Sequence, residues 1–232
     1  MRLSKAQVDK LGKRLRKDDV PSDEDLRLLS GFREDRRAAL DAVTTGLLEI
    51  GGSVQARRLK TINSIVDKLR RESARLSQVQ DIAGVRMVGH MTRAEQDRVV
   101  DRIGAHFPGA KVFDRRVAPS HGYRAVHVVV PIDSELVEIQ VRTDLQHRWA
   151  MLVEGLADAW GQQVKYGGLP DEPESTGPGG RSRAQLAADL EAASFIIDGT
   201  ERAIDRGEPM QGVPEALRRY LDRLAAAVPQ SP

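Results

Sequence analysis

Val137-Glu138-Ile139-Gln140-Val141-Arg142-Thr143 is the stretch whose reading decides the fold. Val137, Ile139 and Val141 alternate with Glu138, Gln140 and Arg142, so a strand sends the first three into a core and sets the other three in a row on the opposite face. A solvated strand face would read the same way taken alone. A second apolar strand, Ala125–Ile132, lies just upstream; it follows His121-Gly122-Tyr123-Arg124 and carries His127 on one face. Two adjacent strands of this kind gather a carboxylate, an amide, a guanidinium, an imidazole and a phenol. That set suits a charged, aromatic ligand, and a nucleotide fits it.

Working outward, the chain downstream of residue 52 alternates strands and helices. Ser53–Leu59 reads as a strand. Ile62, Ile65, Val66 and Leu69 have the spacing of a helix with one buried face. Ile82–Val88 reads as a buried strand, Ala94–Phe107 as a helix and Val112–Val117 as a strand before the two already described. A long helix with Leu145, Trp149, Leu152, Leu156 and Trp160 inward follows them. The order β-α-β-α-β-β-β-α predicts a mixed α/β (α+β) domain, a sheet with helices packed on it. Before it, Ser4–Lys17 is a basic amphipathic helix. Ser22 and Asp25 cap a second helix that the Gly31–Arg37 interval can break in two, and Gly51-Gly52 ends this part. After it, Gly167–Gly180 is rich in Gly, Pro and acid and reads as a linker. Two more helices follow, carrying Leu186, Leu190, Ile197 and Ile204, then Leu217, Leu221 and Leu224, and Pro229–Pro232 is a frayed end. The expected organisation is a helical segment over 1–52, a core over 53–166, a linker over 167–180 and helices over 181–232.

The 232 residues suffice for a substantial core, and a net charge of +2 does not by itself argue for nucleic acid. The absence of cysteine excludes disulfides, thiolate catalysis and cysteine-based zinc sites. No apolar run approaches a membrane span and the N-terminus has no signal-peptide core, so no membrane role and a cytoplasmic location are expected.

Three constellations carry chemistry. In Arg58-Leu59-Lys60-Thr61-Ile62-Asn63-Ser64, a strand passing into a helix puts Arg58 and Lys60 on one face, with Ser64 and Lys68 following at helical spacing. Cations and a hydroxyl at a helix N-terminus form a phosphate cradle, although a solvated basic helix start would read alike. In Asp81-Ile82-Ala83-Gly84-Val85-Arg86, an acid before a buried strand suits a hard cation such as Mg2+, and Arg86 can stack on a base. The alternatives are a turn aspartate capping the backbone and an arginine paired with a carboxylate. Glu138 suits a second metal ligand or the base for a hydroxyl nucleophile, or else an ion pair with Arg142 or Arg124. Tyr123 offers a stacking ring and His127 a phosphate contact, where core-edge packing is the plainer reading of each. His147 and the Trp149/Trp160 stripe read as structural.

Together and in this order, R-x-K-x-x-x-S, D-I-A-G-V-R, G-Y-R-A-V-H and E-I-Q-V-R-T resemble the synthetase domain of the RelA/SpoT homologue family, makers of the alarmones ppGpp and pppGpp. The resemblance runs from about Gln55 to Tyr166. It implies a nucleotidyltransferase-like fold and an ATP-dependent pyrophosphokinase acting on a ribose 3′-hydroxyl. It also implies roles: Arg58 and Arg86 flank adenine, Lys60, Ser64 and Lys68 hold the phosphates of ATP, and Asp81 and Glu138 bind Mg2+. Glu138 would also activate the acceptor, Tyr123 would stack on its base, and His127, Gln140 and Arg142 would line the acceptor side. None of the five histidines is followed by Asp, so the hydrolase pattern of the long members is missing and a small, synthetase-only member is expected.

One departure bears on the acceptor. Family members usually carry a basic residue after the loop proline and an Asn before G-Y-R-S, whereas this loop reads A-P-S-H-G-Y-R-A and is one residue short. Fewer cations there weaken the case for GDP or GTP and leave open the toxin branch, which pyrophosphorylates the 3′-end of tRNA. A non-catalytic nucleotide- or RNA-binding module is the alternative of another class. The last two helices are left three roles: covering the site, forming a homo-oligomer, or meeting a neutralising antitoxin-like partner.

Overall fold

The computed structural model describes residues 3–17, 20–177 and 180–227. The expected frayed end at Pro229–Pro232, and Pro178-Gly179 of the expected linker, lie outside those residues. Among the described residues the helices are α1 (Lys5–Lys17), α2 (Asp23–Glu34), α3 (Arg37–Glu49), α4 (Ile62–Glu72), α5 (Arg93–His106), α6 (Asp144–Trp160), α7 (Arg183–Asp205) and α8 (Val213–Ala227). Five strands, β1 (Val54–Leu59), β2 (Ala83–Gly89), β3 (Lys111–Asp114), β4 (Val126–Ile132) and β5 (Glu135–Thr143), form one sheet in the order β1-β2-β5-β4-β3. This is the expected mixed sheet with flanking helices and helical extensions. No described helix is long and apolar enough to cross a membrane.

Local chemistry sets the boundaries. Ser22 accepts the Asp25 amide and starts α2, and the charged interval beyond Gly31 separates α2 from α3 at Asp35–Arg36. Thr61 accepts the Ser64 amide at the start of α4, which ends at Ser73 in the left-handed region (φ 49°). Thr143 and Gln146 close a full capping box on α6. β3 is shorter than the expected Val112–Val117. Asp114 accepts the Arg116 amide at 2.8 Å and turns the chain, leaving Val117 73% exposed.

The chain divides into two compact units. The first comprises the described residues of Met1–Met87, Asp101–Val112 and His127–Gln140; the second those of Val88–Val100, Phe113–Val126 and Val141–Pro232. In the first, α1, α2 and α4 pack Leu11, Leu15, Leu29, Ile65 and Leu69 around Leu76 and Ile82, all fully or almost fully buried. Each such side chain contributes about 1.5–3 kcal/mol by leaving water. A buried ion pair, Arg36 with Glu135 at 2.8 Å, ties the α2–α3 turn to the start of β5. In the second unit, the Trp149/Trp160 stripe of α6 packs against Leu186, Leu190 and Ile197 of α7 and Leu221 of α8. The tryptophans are core residues, as the sequence suggested.

Candidate active site

The decisive strand has the expected alternation. Val137, Ile139 and Val141 are fully buried, while Glu138 and Gln140 are half-buried on the other face. Arg142 departs from the pattern in being buried too.

In the first unit the candidate residues form two polar clusters and an arginine pair. The first cluster centres on Asp81. Its Oδ2 accepts a hydrogen bond from Lys60 Nζ at 2.8 Å, and its Oδ1 faces Lys68 Nζ at 3.0 Å. Three local features place these groups. β1 ends at Leu59, and the Lys60 amide donates to the Ile82 carbonyl at 2.8 Å, which sets Lys60 beside the start of β2. Lys68 is on α4, whose buried Ile65, Val66 and Leu69 fix the face it presents. Burial pushes the Asp81 carboxyl up, but Lys60 and then Lys68 outweigh it, and the pKa falls from 3.8 to about 2. Asp81 is thus no backbone cap; it is an ionised carboxylate held between two ammonium groups. Ser64 is exposed at the start of α4, and its hydroxyl accepts from Thr61 Oγ1 at 2.8 Å.

The second cluster centres on Glu138. Its Oε1 lies 2.9 Å from His127 Nδ1 on β4, and its Oε2 accepts from Gln140 Nε2 at 2.8 Å. Burial raises the Glu138 pKa, but the His127 contact and the Gln140 bond prevail and hold it below the usual carboxylate range. The charge of Asp81 pushes against it, so the two carboxylates act on each other within this unit. Within this unit the hydrogen-bond partners of Glu138 are His127 and Gln140.

Arg58 and Arg86 stand on neighbouring antiparallel strands. Ala56 is opposite Arg86 and Arg58 is opposite Gly84, so the two arginines are diagonal neighbours on one face. Diagonal positions lie roughly 7 Å apart, which leaves room for one planar ring between two guanidinium planes. Gly84 supplies no side chain there, and a Cβ built on it would meet only the Glu138 carbonyl at 3.6 Å.

Tyr123 and Arg142 belong to the second unit. Arg142 Nη2 donates to the Tyr123 hydroxyl at 2.9 Å, and the guanidinium sits 5.1 Å from the ring centroid. The loop before Tyr123 is tight. The Tyr123 amide donates to the Ser120 carbonyl at 2.9 Å, while His121 (φ 48°) and Gly122 (φ 81°) are both left-handed. A Cβ on Gly122 would fall 2.7 Å from Trp149 Cζ2, so glycine is needed there for space as well as for conformation.

Sequence reasoning passed over several polar groups. Thr61 caps α4 by accepting the Ser64 amide, and without a Glu or Gln three residues on the sequence carries no capping box to mark it. Gln96, Arg116, Ser194 and Glu201 are buried polar residues that bond across 20 to 70 positions of chain, and local spacing carries no mark of such ties.

The arrangement resembles known proteins in fold and in sequence. The fold is similar to that in the crystal structure of the small alarmone synthetase 1 from Bacillus subtilis, with a TM-score of 0.53 and 23% identity over 80% of this chain and 96% of that one. Residues 57–163 match the family model described as the region found in RelA / SpoT proteins. Over this region, a little under half of the chain, the sequence is similar to the RelA/SpoT synthetase-domain family. It is also 41% identical over 118 residues to uncharacterized proteins of Mycobacterium tuberculosis and Mycobacterium bovis. That match covers 50% of this chain and 43% of each relative, so it spans less than half of their length.

Proposed function

We propose that the chain is an ATP-dependent pyrophosphokinase that moves the β,γ-pyrophosphate of ATP onto the ribose 3′-hydroxyl of GDP or GTP, yielding AMP and (p)ppGpp. The observation that carries this reading is Asp81 held ionised between Lys60 and Lys68. A carboxylate already neutralised by two lysines needs no third cation for stability. The same group beside a polyphosphate releases both lysines to the phosphates and keeps its charge for a metal ion.

The donor set fits Mg2+. Asp81 and Glu138 are both held ionised, and Glu138 feels the charge of Asp81. Magnesium is usually bound through one or two carboxylates plus substrate phosphates, not in an all-protein cage. In keeping with that, no group of three or more His, Asp or Glu is gathered for a metal among the described residues. When bound, such an ion neutralises charge on the transferring group. In the transfer the 3′-oxygen of the acceptor bonds to the β-phosphorus, the bridge to the α-phosphate breaks, and AMP leaves with that bridging oxygen. The hydroxyl proton passes to Glu138, which His127 and Gln140 hold deprotonated and oriented. Arg58 and Arg86 receive adenine, Lys60, Lys68 and Ser64 the phosphates, Tyr123 the acceptor base, and Gln140 and Arg142 the acceptor side.

A second acceptor, the 3′-end of tRNA, is favoured by one feature. Ser120 and His121 stand where a cation would meet the 5′-phosphates of GDP, and the His121 ring is packed onto Gly167, within 2.3 Å of where a Cβ there would lie. Competition decides between them. With γ-labelled ATP, Mg2+, GDP, GTP and deacylated tRNA together, label is expected chiefly in guanosine nucleotide. Label chiefly in tRNA would make the chain a translation-blocking enzyme. Transfer to neither would favour a non-catalytic binding module.

A further inference from the structure

α7 looks at first like an ordinary amphipathic helix, but it carries a second stripe. Ser194, Asp198, Glu201 and Asp205 follow one another at intervals of four, three and four, and so lie along one face. Each is bonded to another segment of the second unit, and these ties converge on the loop around Tyr123, the start of α5 and the β5–α6 junction. The Ser194 hydroxyl donates to the Gly122 carbonyl and accepts from Arg124 Nε at 3.1 Å. Asp198 pairs with Arg93 at the start of α5 and lies 3.5 Å from Arg124 Nη1. Glu201 accepts from the Thr143 hydroxyl and from Gln146 Nε2 at 2.9 Å, where β5 passes into α6. Asp205 accepts the Ala94 amide at 3.3 Å.

The first two contacts fall on either side of Tyr123. Gly122 and Arg124 are its chain neighbours, and both are held by Ser194. Other ties reach the loop as well: Arg124 Nη1 donates to the Arg116 carbonyl at 2.6 Å and Arg142 Nη2 to the Tyr123 hydroxyl at 2.9 Å. Between β3 and β4 its backbone is tied by the Arg115 amide to the Ala125 carbonyl at 2.9 Å and by the turn at Ser120–Tyr123. Gly122 is also seated against Trp149 and Ser194, with no room for a Cβ. Ser194 is 2% exposed, so its hydroxyl has no competing water and holds one geometry.

We infer that the polar stripe of α7 is a positioning clamp for the Gly122–Arg124 loop, and that Ser194 sets the orientation in which Tyr123 meets the acceptor base. The clamp is geometric; its link to the acceptor rests on the pyrophosphokinase reading above. α7 is thereby a part of acceptor recognition.

Ser194→Ala in the full chain tests it with two readouts. Hydrogen exchange needs no turnover: backbone amides of residues 120–124 are expected to exchange about tenfold faster than in the wild type, with α1 and α4 unchanged. In steady-state assays KM for the guanosine nucleotide is expected to rise several-fold, while KM for ATP and kcat at saturating acceptor stay within twofold. Unchanged loop exchange would overturn the clamp. Faster exchange with an unchanged acceptor KM would overturn its role in recognition, as would a parallel rise in both KM values, which marks general loosening. A wild-type protein inactive with every acceptor would count against the pyrophosphokinase reading, and exchange alone would then decide the clamp.

Discussion

The two units use the same residue types to opposite ends. Around Asp81 the side chains of Lys60, Lys68 and the aspartate are 14%, 21% and 17% exposed, and Lys68 also lies 3.7 Å from Glu72. In the second unit Arg116 and Arg124 are 7% and 5% exposed and almost fully engaged. Arg116 bonds Asp114, Asp97 and Gln96; Arg124 bonds Ser194 and the Arg116 carbonyl. A charge cluster with some access to water can exchange its partners for a ligand. A buried and fully satisfied one cannot do so without breaking the fold, because a buried charge left without its partner is heavily penalised. Position in the electrostatic balance thus separates a site from a strut.

The comparison is broken most directly at the carboxylates. Asp81→Ala and Glu138→Gln are each expected to lower AMP release a thousandfold or more while circular dichroism stays that of the wild type, since charge neutralisation in the transition state is worth several kcal/mol. Near-wild-type turnover in either variant would remove that residue from the site. In the second unit, Arg116→Ala should instead reveal itself as lost stability.

The acid limb of stability gives the next largest effect. The folded-state pKa of Asp81 is depressed from 3.8 to about 2. Its pairing therefore contributes stability that is complete above the unfolded value and is lost as pH falls through the folded one, on the order of 2 kcal/mol. Urea midpoints across that window should fall more steeply for the wild type than for Asp81→Asn. Parallel curves would contradict the pairing.

Smaller effects sharpen the division of labour. Tyr123→Ala is expected to raise the acceptor KM about tenfold and leave that for ATP nearly unchanged, since loss of one base–aromatic stack costs about 1–3 kcal/mol. Arg58→Ala should do the reverse by a few-fold, the stack on an exposed guanidinium being worth about 0.5–1 kcal/mol. Equal effects of both variants on both substrates would erase the distinction.

Much of the fold was legible because it is written in local periodicity. The alternation of Val137–Val141 and the spacing of Ile62, Ile65, Val66 and Leu69 placed β5 within two residues and α4 within three residues of their ends. Ser22 marked the start of α2. The clustering of Lys60, Lys68 and Asp81 could be suspected from motif order, but the partner of Glu138 could not, because His127 reaches it only across the β4–β5 pairing. Arg142 leaves the alternation because it is buried, where it donates to the Tyr123 hydroxyl. The α7 stripe escaped notice for a related reason. Its apolar residues are ordered by the helix period, whereas the meaning of Ser194 depends on a glycine 72 positions away.

The central claim is that the Asp81 cluster delivers a pyrophosphoryl group, not a single phosphate. The measurement that tests it most directly is the nucleotide product formed by purified protein with Mg2+, ATP and GDP, resolved by ion-exchange chromatography. The account predicts AMP in equal amount to a pyrophosphorylated guanosine product, with neither formed by Asp81→Ala. ADP as the product, or AMP made equally well by that variant, would contradict it.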